Sequence, residues 1–273
     1  MDAPPPHEDP RPFIHVAEYL TGIGLSAPAI LARDLDQGLL LIEDFGSVRM
    51  RETVDADIRL EPSVYAGVVD VLIELHRHAP PPGLKTHGLD QWLEEVCLFP
   101  DWYCPAVGLD VDRDAFLAAW REVLAPVDAQ GQSVTELRDY HAENIMLLGG
   151  KAGAPQGLID FQDALVGHPA YDLVSLLQDA RRDVSIDLET AMLLHYAHHA
   201  GVADDEFLAD YARLGAQRNA KIVGIFTRLN ARDGKPRYLS MIPRVWDLLE
   251  RDLAHPALAP VAAWFDANIP DTL

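Results

Sequence analysis

Two short segments of the 273-residue chain carry the side chains that phosphoryl transfer to a hydroxyl requires. The first, Leu137-Arg-Asp-Tyr-His-Ala-Glu-Asn144, contains Asp139 and Asn144, and the second, Gly157-Leu-Ile-Asp-Phe-Gln-Asp163, contains Asp160. A carboxylate can orient and deprotonate the attacking hydroxyl, while an amide oxygen and a second carboxylate can hold Mg²⁺ on nucleotide phosphates. We therefore predict a kinase-type active site in which Asp139 is the base and Asn144 and Asp160 are metal ligands.

Other interpretations of the same residues remain open at this stage. Asp139 and Asp160 could be turn or capping residues. The apolar residues that flank them, and the position of Asp160 after Asp139 and Asn144 in the chain, favour catalysis instead. Arg138 could pair with a carboxylate of the catalytic loop or lie on the surface, and we include it among the catalytic residues. Asp172 could cap the helix that follows it or brace the catalytic loop.

The hydrophobic pattern predicts an α+β fold, with a mostly helical lobe around a small β element and a fragmentary α/β segment before it. Strand-like runs end or begin beside Asp139, Asn144 and Asp160, so these side chains are expected at loops on a rigid frame. The predicted strands cover residues 27–33, 38–42, 134–137, 144–148 and 156–159. The predicted helices cover 13–22, a segment after Pro62, 89–99, 113–127, 171–182, 188–200, 205–229, 242–253 and 259–268.

Composition narrows the class of protein. Hydrophobic residues make up 49% of the chain, enough to form a substantial core. The 43 acidic and 22 basic residues give a net charge of -21, which disfavours binding to nucleic acid and to anionic membrane surfaces. Cys97 and Cys104 lack a paired metal-ligand spacing and are expected to be ordinary thiols. The N-terminus lacks a signal-peptide pattern, and no run is long enough for a membrane span, so we expect a cytoplasmic protein.

The catalytic segments, together with Gly167-His-Pro-Ala-Tyr-Asp-Leu173, resemble those of the aminoglycoside phosphotransferase and choline kinase family, relatives of protein kinases. Three further stretches are similar to bacterial anomeric amino-sugar kinases of cell-wall recycling, which phosphorylate N-acetylmuramate and N-acetylglucosamine. These stretches are Met1-Asp-Ala-Pro-Pro-Pro6, Leu98-Phe-Pro-Asp-Trp-Tyr103 and residues 221–238. Together with the catalytic segments, they extend the resemblance over nearly the whole chain.

The resemblance implies a protein-kinase-like (aminoglycoside phosphotransferase) fold that uses ATP and Mg²⁺, with Asp139 as the catalytic base. Residues 1–48 would form a partial N-terminal lobe and hinge, and residues 49–273 a largely helical C-terminal catalytic and substrate-binding lobe. Glu43, Asp44 and Phe45 would lie in the hinge strand that contacts adenine, and Asn144 would also contact the nucleotide.

The chain departs from the family pattern in two places. Leu137 stands where many relatives have a histidine, and because that histidine is chiefly a packing element, an apolar residue is tolerable. No glycine-rich loop or phosphate-anchoring lysine can be assigned, which leaves Glu18 without its expected lysine partner. We therefore expect a truncated N-terminal lobe, weak nucleotide binding and low activity.

Two clusters are candidate substrate contacts. Asp101, Trp102 and Tyr103 combine a carboxylate with two flat rings that could stack on a sugar, although Trp102 could equally be a core anchor. Residues 213–237 contain seven basic residues and one acidic residue, and Arg218, Lys221 and Arg228 among them could face a phosphate or a substrate carboxylate. The alternative for this stretch is a solvated, charged helix.

The combined prediction is an ATP- and Mg²⁺-dependent phosphotransferase acting on a small sugar, with the anomeric hydroxyl of N-acetylmuramate or N-acetylglucosamine as the predicted acceptor. One alternative is an aminoglycoside or other small-amine kinase, which would differ in substrate charge. The other is an inactive pseudokinase that binds a sugar or a partner protein, although retention of Asp139, Asn144 and Asp160 argues against it. His195 and His199 lie four residues apart but lack a third ligand, which favours surface histidines over a metal site.

Overall fold

The computed structural model describes residues 1–149, 153, 155–202 and 205–270. Its helices are α1 (Arg11–Gly22), α2 (Met50–Ala56), α3 (Glu61–Leu75), α4 (Leu89–Val96), α5 (Cys104–Ala106), α6 (Arg113–Gln130), α7 (Ala170–Leu177), α8 (Ile186–Ala200), α9 (Asp205–Asp233), α10 (Ile242–Leu253) and α11 (Ala259–Asn268). Its strands are β1 (Ile30–Asp34), β2 (Leu39–Ile42), β3 (Val134–Glu136), β4 (Ile145–Leu147), β5 (Gln156–Leu158) and β6 (Leu165–Gly167). A π-helical turn spans Phe99–Tyr103, and short 3₁₀ turns span Ile58–Leu60, Pro236–Met241 and Pro256–Leu258.

In the described residues the strands pair as three small antiparallel sheets, β1 with β2, β3 with β6 and β4 with β5. Helices dominate the remainder, which confirms the predicted α+β class. The chain divides into two compact units. The first comprises Met1–Thr86, Ser133–Leu177 and Val184–Ala203, and the second comprises His87–Gln132, Gln178–Asp183 and Asp204–Leu273. The lobe boundary predicted after residue 48 is a different division and stays a prediction.

Local sequence signals set several helix ends. The side chain of Asp112 accepts a hydrogen bond from the Ala115 N–H (2.9 Å) at the start of α6, and Ser185 accepts one from the Leu188 N–H (3.2 Å) at the start of α8. Gly201 ends α8 in the left-handed conformation (φ 72°), which glycine adopts without steric cost. These caps explain why the predicted α6 and α8 agree with the structure to within a turn.

The structure differs from the prediction at several elements. The strand β6 and the helix α2 are additional, and both are short. The helix predicted to end at Arg182 ends at Leu177, and beyond it the Asp179 side chain accepts a hydrogen bond from the Arg181 N–H (2.8 Å), forming a local turn. The helix predicted over 89–99 ends at Val96, and the chain then forms the π turn around Pro100, which has no N–H to donate.

Each unit has an apolar core of its own. In the first unit, α1 buries Phe13, whose ring stacks on Phe161 at 5.0 Å. In the second unit, Phe99, Phe116 and Phe265 belong to one aromatic cluster, with Phe99–Phe265 centroids 5.1 Å apart. Within the described part of the chain, no helix has the length and apolar character needed to cross a bilayer.

The two cysteines are buried and unpaired, as predicted for ordinary thiols. Burial raises the pKa of the Cys97 thiol and raises that of Cys104 to about 12. Because the thiolate is the reactive form, both side chains act here as small apolar groups.

Candidate active site

The predicted catalytic loop, residues 137–144, connects β3 to β4 and is hydrogen-bonded to α7. The Asp172 carboxylate is buried and accepts hydrogen bonds from the main-chain N–H groups of Leu137 (2.7 Å) and Arg138 (2.9 Å). The Ser175 hydroxyl donates to the Arg138 carbonyl (3.1 Å). Of the two roles considered for Asp172, the structure gives it the bracing contacts.

Arg138 has a left-handed main chain, with φ at 68°. A non-glycine residue in this region costs free energy, so the surrounding contacts must hold it there. The bonds from Asp172 and Ser175 fix the peptide groups on both sides of Arg138. Asp139 follows directly, and its side chain is exposed. The role of the Arg138 guanidinium in catalysis stays a prediction.

Asn144 links the predicted base, Asp139, to the other predicted metal ligand, Asp160. Its amide Nδ2 donates to the Asp139 carbonyl (3.0 Å) and to the Asp160 carboxylate (3.1 Å). Asn144 is the last residue before β4, Asp160 follows β5, and the Ile159 N–H donates to the Asn144 carbonyl (3.2 Å). The antiparallel pairing of β4 with β5 therefore places two residues that are sixteen positions apart side by side. Asp160, like Arg138, has a left-handed main chain (φ 62°).

This pair can bind a hard cation. Asn144 and Asp160 each carry an oxygen donor, and the 3.1 Å hydrogen bond from the Asn144 amide nitrogen to the Asp160 carboxylate places the two side chains next to each other. In the described part of the chain, no group of three or more His, Cys, Asp or Glu side chains is arranged so that it could hold a metal ion by itself. A cation held here would complete its coordination with water and phosphate oxygens, which is how Mg²⁺ usually binds in nucleotide sites.

A cavity of about 550 Å³ lies in the first unit beside the predicted hinge. Three of the four predicted nucleotide contacts, Glu43, Asp44 and Phe45, line it, whereas the fourth, Asn144, is not among its lining residues. Its wall also includes Met146, two residues after Asn144, and Ile159, the neighbour of Asp160. The cavity therefore extends from the hinge to residues close in sequence to the candidate metal pair.

The hinge itself is shaped by local contacts. The Glu43 carboxylate accepts a hydrogen bond from the Ala29 N–H (3.1 Å), and Asp44 accepts one from the Gly46 N–H (2.8 Å), with Gly46 at φ 79°. Phe45 packs on Gly157 of β5, where an added Cβ would lie 2.6 Å from the ring. Met146 and Ile159 were not predicted as lining residues. Met146 lies in β4 just after Asn144, and Ile159 lies between β5 and Asp160, and these positions are the signal that could have found them.

The predicted aromatic substrate contacts lie in the second unit, on the π turn. Tyr103 is buried, stacks on Phe99 at 5.2 Å and has a pKa raised by burial. Asp101 is exposed and pairs with Arg113 (2.8 Å), and Trp102 is partly exposed. Their contact with a substrate stays a prediction, and Asp101 and Trp102 have the accessible side chains of this group.

The predicted basic contacts also lie in the second unit, along α9. Arg218, Lys221 and Arg228 are spaced three and seven residues apart, which places them on one helix face. Arg218 is buried, and the Lys221 ammonium lies 2.7 Å from the Glu95 carboxylate of α4, which offsets its charge. A role in substrate binding stays a prediction for all three residues.

The fold is similar to that of solved small-molecule phosphotransferases. A choline/ethanolamine kinase family protein from Mesorhizobium loti superposes with a TM-score of 0.66 at 14% identity, over 96% of this chain and 86% of that one. An ADP-bound aminoglycoside phosphotransferase superposes with a TM-score of 0.59 at 14% identity, over 90% and 83% of the two chains. At these identities the likeness concerns the fold alone, and it confirms the predicted kinase-like architecture.

Sequence relatives are closer than these structures. The chain is 39% identical over 273 aligned residues to the N-acetylmuramate/N-acetylglucosamine kinase of Caulobacter vibrioides, covering 94% of this chain and 74% of that protein. It is 36% identical to the enzyme of the same name from Pseudomonas aeruginosa, covering 95% and 78%. A family model described as the phosphotransferase enzyme family matches residues 1–216. The chain therefore belongs to the phosphotransferase enzyme family and is a small-molecule kinase.

Proposed function

We propose that this chain transfers the γ-phosphoryl group of ATP to the anomeric hydroxyl of an N-acetylated amino sugar, N-acetylmuramate or N-acetylglucosamine. The observation that carries the phosphoryl-transfer part is that the Asn144 amide donates both to the main-chain carbonyl of Asp139 and to the Asp160 carboxylate, which places the three residues next to one another. The sugar is supported by relatives of that name at 39% and 36% identity. The solved neighbours share only the fold, so their substrates do not bear on this choice.

Asp139 would accept the proton of the sugar hydroxyl and hold its oxygen in line with the γ-phosphorus. A bond forms between that oxygen and the γ-phosphorus, the bond from the γ-phosphorus to the β,γ-bridging oxygen breaks, and ADP leaves. Because Asp139 is exposed, its carboxylate is accessible to a substrate. Its loop is fixed by Asp172, so positioning is provided by the protein before the substrate arrives.

Asn144 and Asp160 would hold the Mg²⁺ ion, which neutralises charge on the phosphates when it is bound. The cavity beside Glu43–Phe45 would bind the nucleotide. Ile42, Met146 and Ile159 supply apolar wall on which a flat base can lie, and the cavity volume of about 550 Å³ is within the usual range for small-molecule sites. Because the Glu43 side chain already bonds to Ala29, hinge contacts to the base would come from the main chain.

The test measures ADP formation from ATP with N-acetylmuramate or N-acetylglucosamine as the acceptor. Kanamycin and choline serve as alternative acceptors, and ³¹P NMR determines which position of the sugar is phosphorylated. Asp139→Ala is expected to lower kcat by about 10³-fold or more because a positioned general base is lost. Asp36→Ala, a change of the same kind in the exposed β1–β2 turn, should retain activity.

Three outcomes would contradict the proposal. Turnover of kanamycin or choline in preference to the sugars would indicate a small-amine kinase. Absence of sugar-dependent turnover would favour a binding protein without catalysis. Full activity in Asp139→Ala would exclude Asp139 as the base.

A further inference from the structure

The helix α2 contacts the catalytic loop immediately before Asn144. The Arg51 N–H donates to the Ala142 carbonyl (3.1 Å), and the Arg51 guanidinium bonds the Glu143 carboxylate. A second carboxylate, that of Asp55, lies 3.6 Å from the Arg51 Nε. Through both its main chain and its side chain, Arg51 therefore joins α2 to Ala142 and Glu143, the two residues before Asn144.

The segment that precedes α2 contacts the chain on the other side of Asn144. The Leu147 N–H donates to the Val48 carbonyl (2.9 Å), and Arg49 forms an isolated antiparallel bridge with Met146. Residues 48–51 thus run beside residues 142–147. Because the same segment continues from the hinge at residues 43–46, it connects the nucleotide cavity to both flanks of Asn144.

We infer that Arg51 is a positioning residue for the metal site: its contacts with Ala142 and Glu143 hold Asn144 in the orientation that binds Mg²⁺. This inference rests on the proposed function, in which Asn144 is a metal ligand. Residues that orient a ligand in this way commonly change metal affinity by about 10- to 100-fold when they are replaced.

The Arg51–Glu143 pair is suited to this role by its environment. The side chains are 34% and 28% exposed, so water screens the charges only in part. Ninety-two positions separate the two residues in sequence. The pair therefore fixes the loop against a distant element, whereas a contact within the loop would move with it.

The experiment measures ADP affinity by calorimetry in Mg²⁺ and in EDTA, and the quantity compared is the gain in affinity that Mg²⁺ produces. Arg51→Met keeps most of the side-chain stem and removes the charge, and Glu143→Gln removes the partner charge with little change of shape. Each is expected to reduce the Mg²⁺-dependent gain by about tenfold, with ADP affinity in EDTA unchanged within about twofold. A merely structural defect would lower both affinities.

The double variant should lose no more than either single variant, because both remove one interaction. The control is Arg59→Ala, since Arg59 lies in the 3₁₀ turn after α2, is 85% exposed and pairs with Asp57 at 2.7 Å. If Arg51→Met fails to fold, Glu143→Gln decides the question. If the Mg²⁺-dependent gain in ADP affinity is as large in the variants as in the wild type, the inference about Arg51 is wrong and the proposed function is unaffected. A wild-type protein without any Mg²⁺-dependent gain would instead overturn the metal assignment in the proposed function.

Discussion

Asp172 places a buried carboxylate under two main-chain N–H groups of the catalytic loop, at the residue whose φ is 68°. Asparagine at this position has one acceptor oxygen, so one of the two N–H groups would lose its partner. We expect Asp172→Asn to lower the free energy of unfolding by about 2 kcal/mol, as for a buried donor left unsatisfied. It should also lower kcat by about tenfold or more, because the loop that carries Asp139 loosens.

Urea denaturation and steady-state kinetics measure the two effects of Asp172→Asn. Asp187→Asn, in the exposed first turn of α8, is the matched control and should change neither quantity appreciably. A loss of stability with unchanged kcat would show that Asp172 supports the fold without positioning Asp139.

His76 should make stability depend on pH. The residue is partly exposed, but its ring nitrogen Nε2 is buried, and Nδ1 lies 2.7 Å from the Tyr196 hydroxyl. Burial lowers the pKa of His76 from 6.5 to about 3. Because the unfolded chain binds the proton more readily, this contribution is present above pH 6.5 and is lost as the pH falls towards 3.

Between pH 7 and pH 5 the loss attributable to His76 should be about 2 kcal/mol. His76→Asn should therefore flatten the dependence of unfolding free energy on pH over that window, as measured by urea denaturation. His198→Asn, on the exposed side of α8, is the control and should retain the wild-type slope. An unchanged slope in His76→Asn would mean that folding does not lower the pKa of His76.

At the scale of elements, α9 approaches the π turn closely enough to require glycine. A Cβ on Gly224 would lie 2.3 Å from the carbonyl carbon and oxygen of Leu98, and neither main-chain atom can move cheaply. Alanine stabilises a helix by about 1 kcal/mol relative to glycine, but overpacking a core costs about 1–3 kcal/mol. We expect the steric cost to be larger, so Gly224→Ala should destabilise the protein by about 1–2 kcal/mol.

The matched control is Gly22→Ala at the end of α1, where an added Cβ meets no atom within 4 Å. Urea denaturation should show Gly22→Ala unchanged or slightly stabilised, since the methyl group occupies open space. Equal stabilities for the two variants would contradict the close packing of α9 on the π turn.

At the scale of the whole molecule, the net charge of -21 should repel an anionic sugar more than a neutral one. The basic residues of α9 do little to offset this, because Lys221 pairs with Glu95 and Arg232 with Asp233. N-acetylmuramate carries a carboxylate and N-acetylglucosamine does not. Raising the salt from about 0.02 M to about 0.2 M shortens the screening length and should raise the kcat/KM ratio of muramate to glucosamine.

Comparing the two sugars at each salt concentration cancels the effect of salt on ATP, which is common to both reactions. A ratio that falls as salt rises would indicate that local cations attract the carboxylate. That result would support substrate contacts from Arg218, Lys221 or Arg228, and Arg228→Gln should reduce the salt dependence if Arg228 is the contact.

The amino-acid sequence by itself determined the catalytic residues as candidates, the α+β class, the family and most of the helices. Helix formation depends on residues three and four positions apart, so α6, α8, α10 and α11 could be predicted from their own segments. The motif around Asp139 and Asn144 is likewise local, because six consecutive residues of one loop contain it. The short elements α2 and β6 were not predicted, because seven and three residues contain little periodicity; β3, β4 and β5, also of three residues each, were found through the apolar runs beside Asp139, Asn144 and Asp160.

Only the tertiary structure decided which distant residues meet. The contact of Asn144 with Asp160, the brace from Asp172 and the pair formed by Arg51 with Glu143 join segments that are 16, 34 or 35, and 92 positions apart. Burial was decided in the same way, as for Tyr103 and Arg218, which the sequence predicted as substrate contacts and the structure buries. Such contacts depend on how strands pair and helices pack, and no single segment specifies that arrangement.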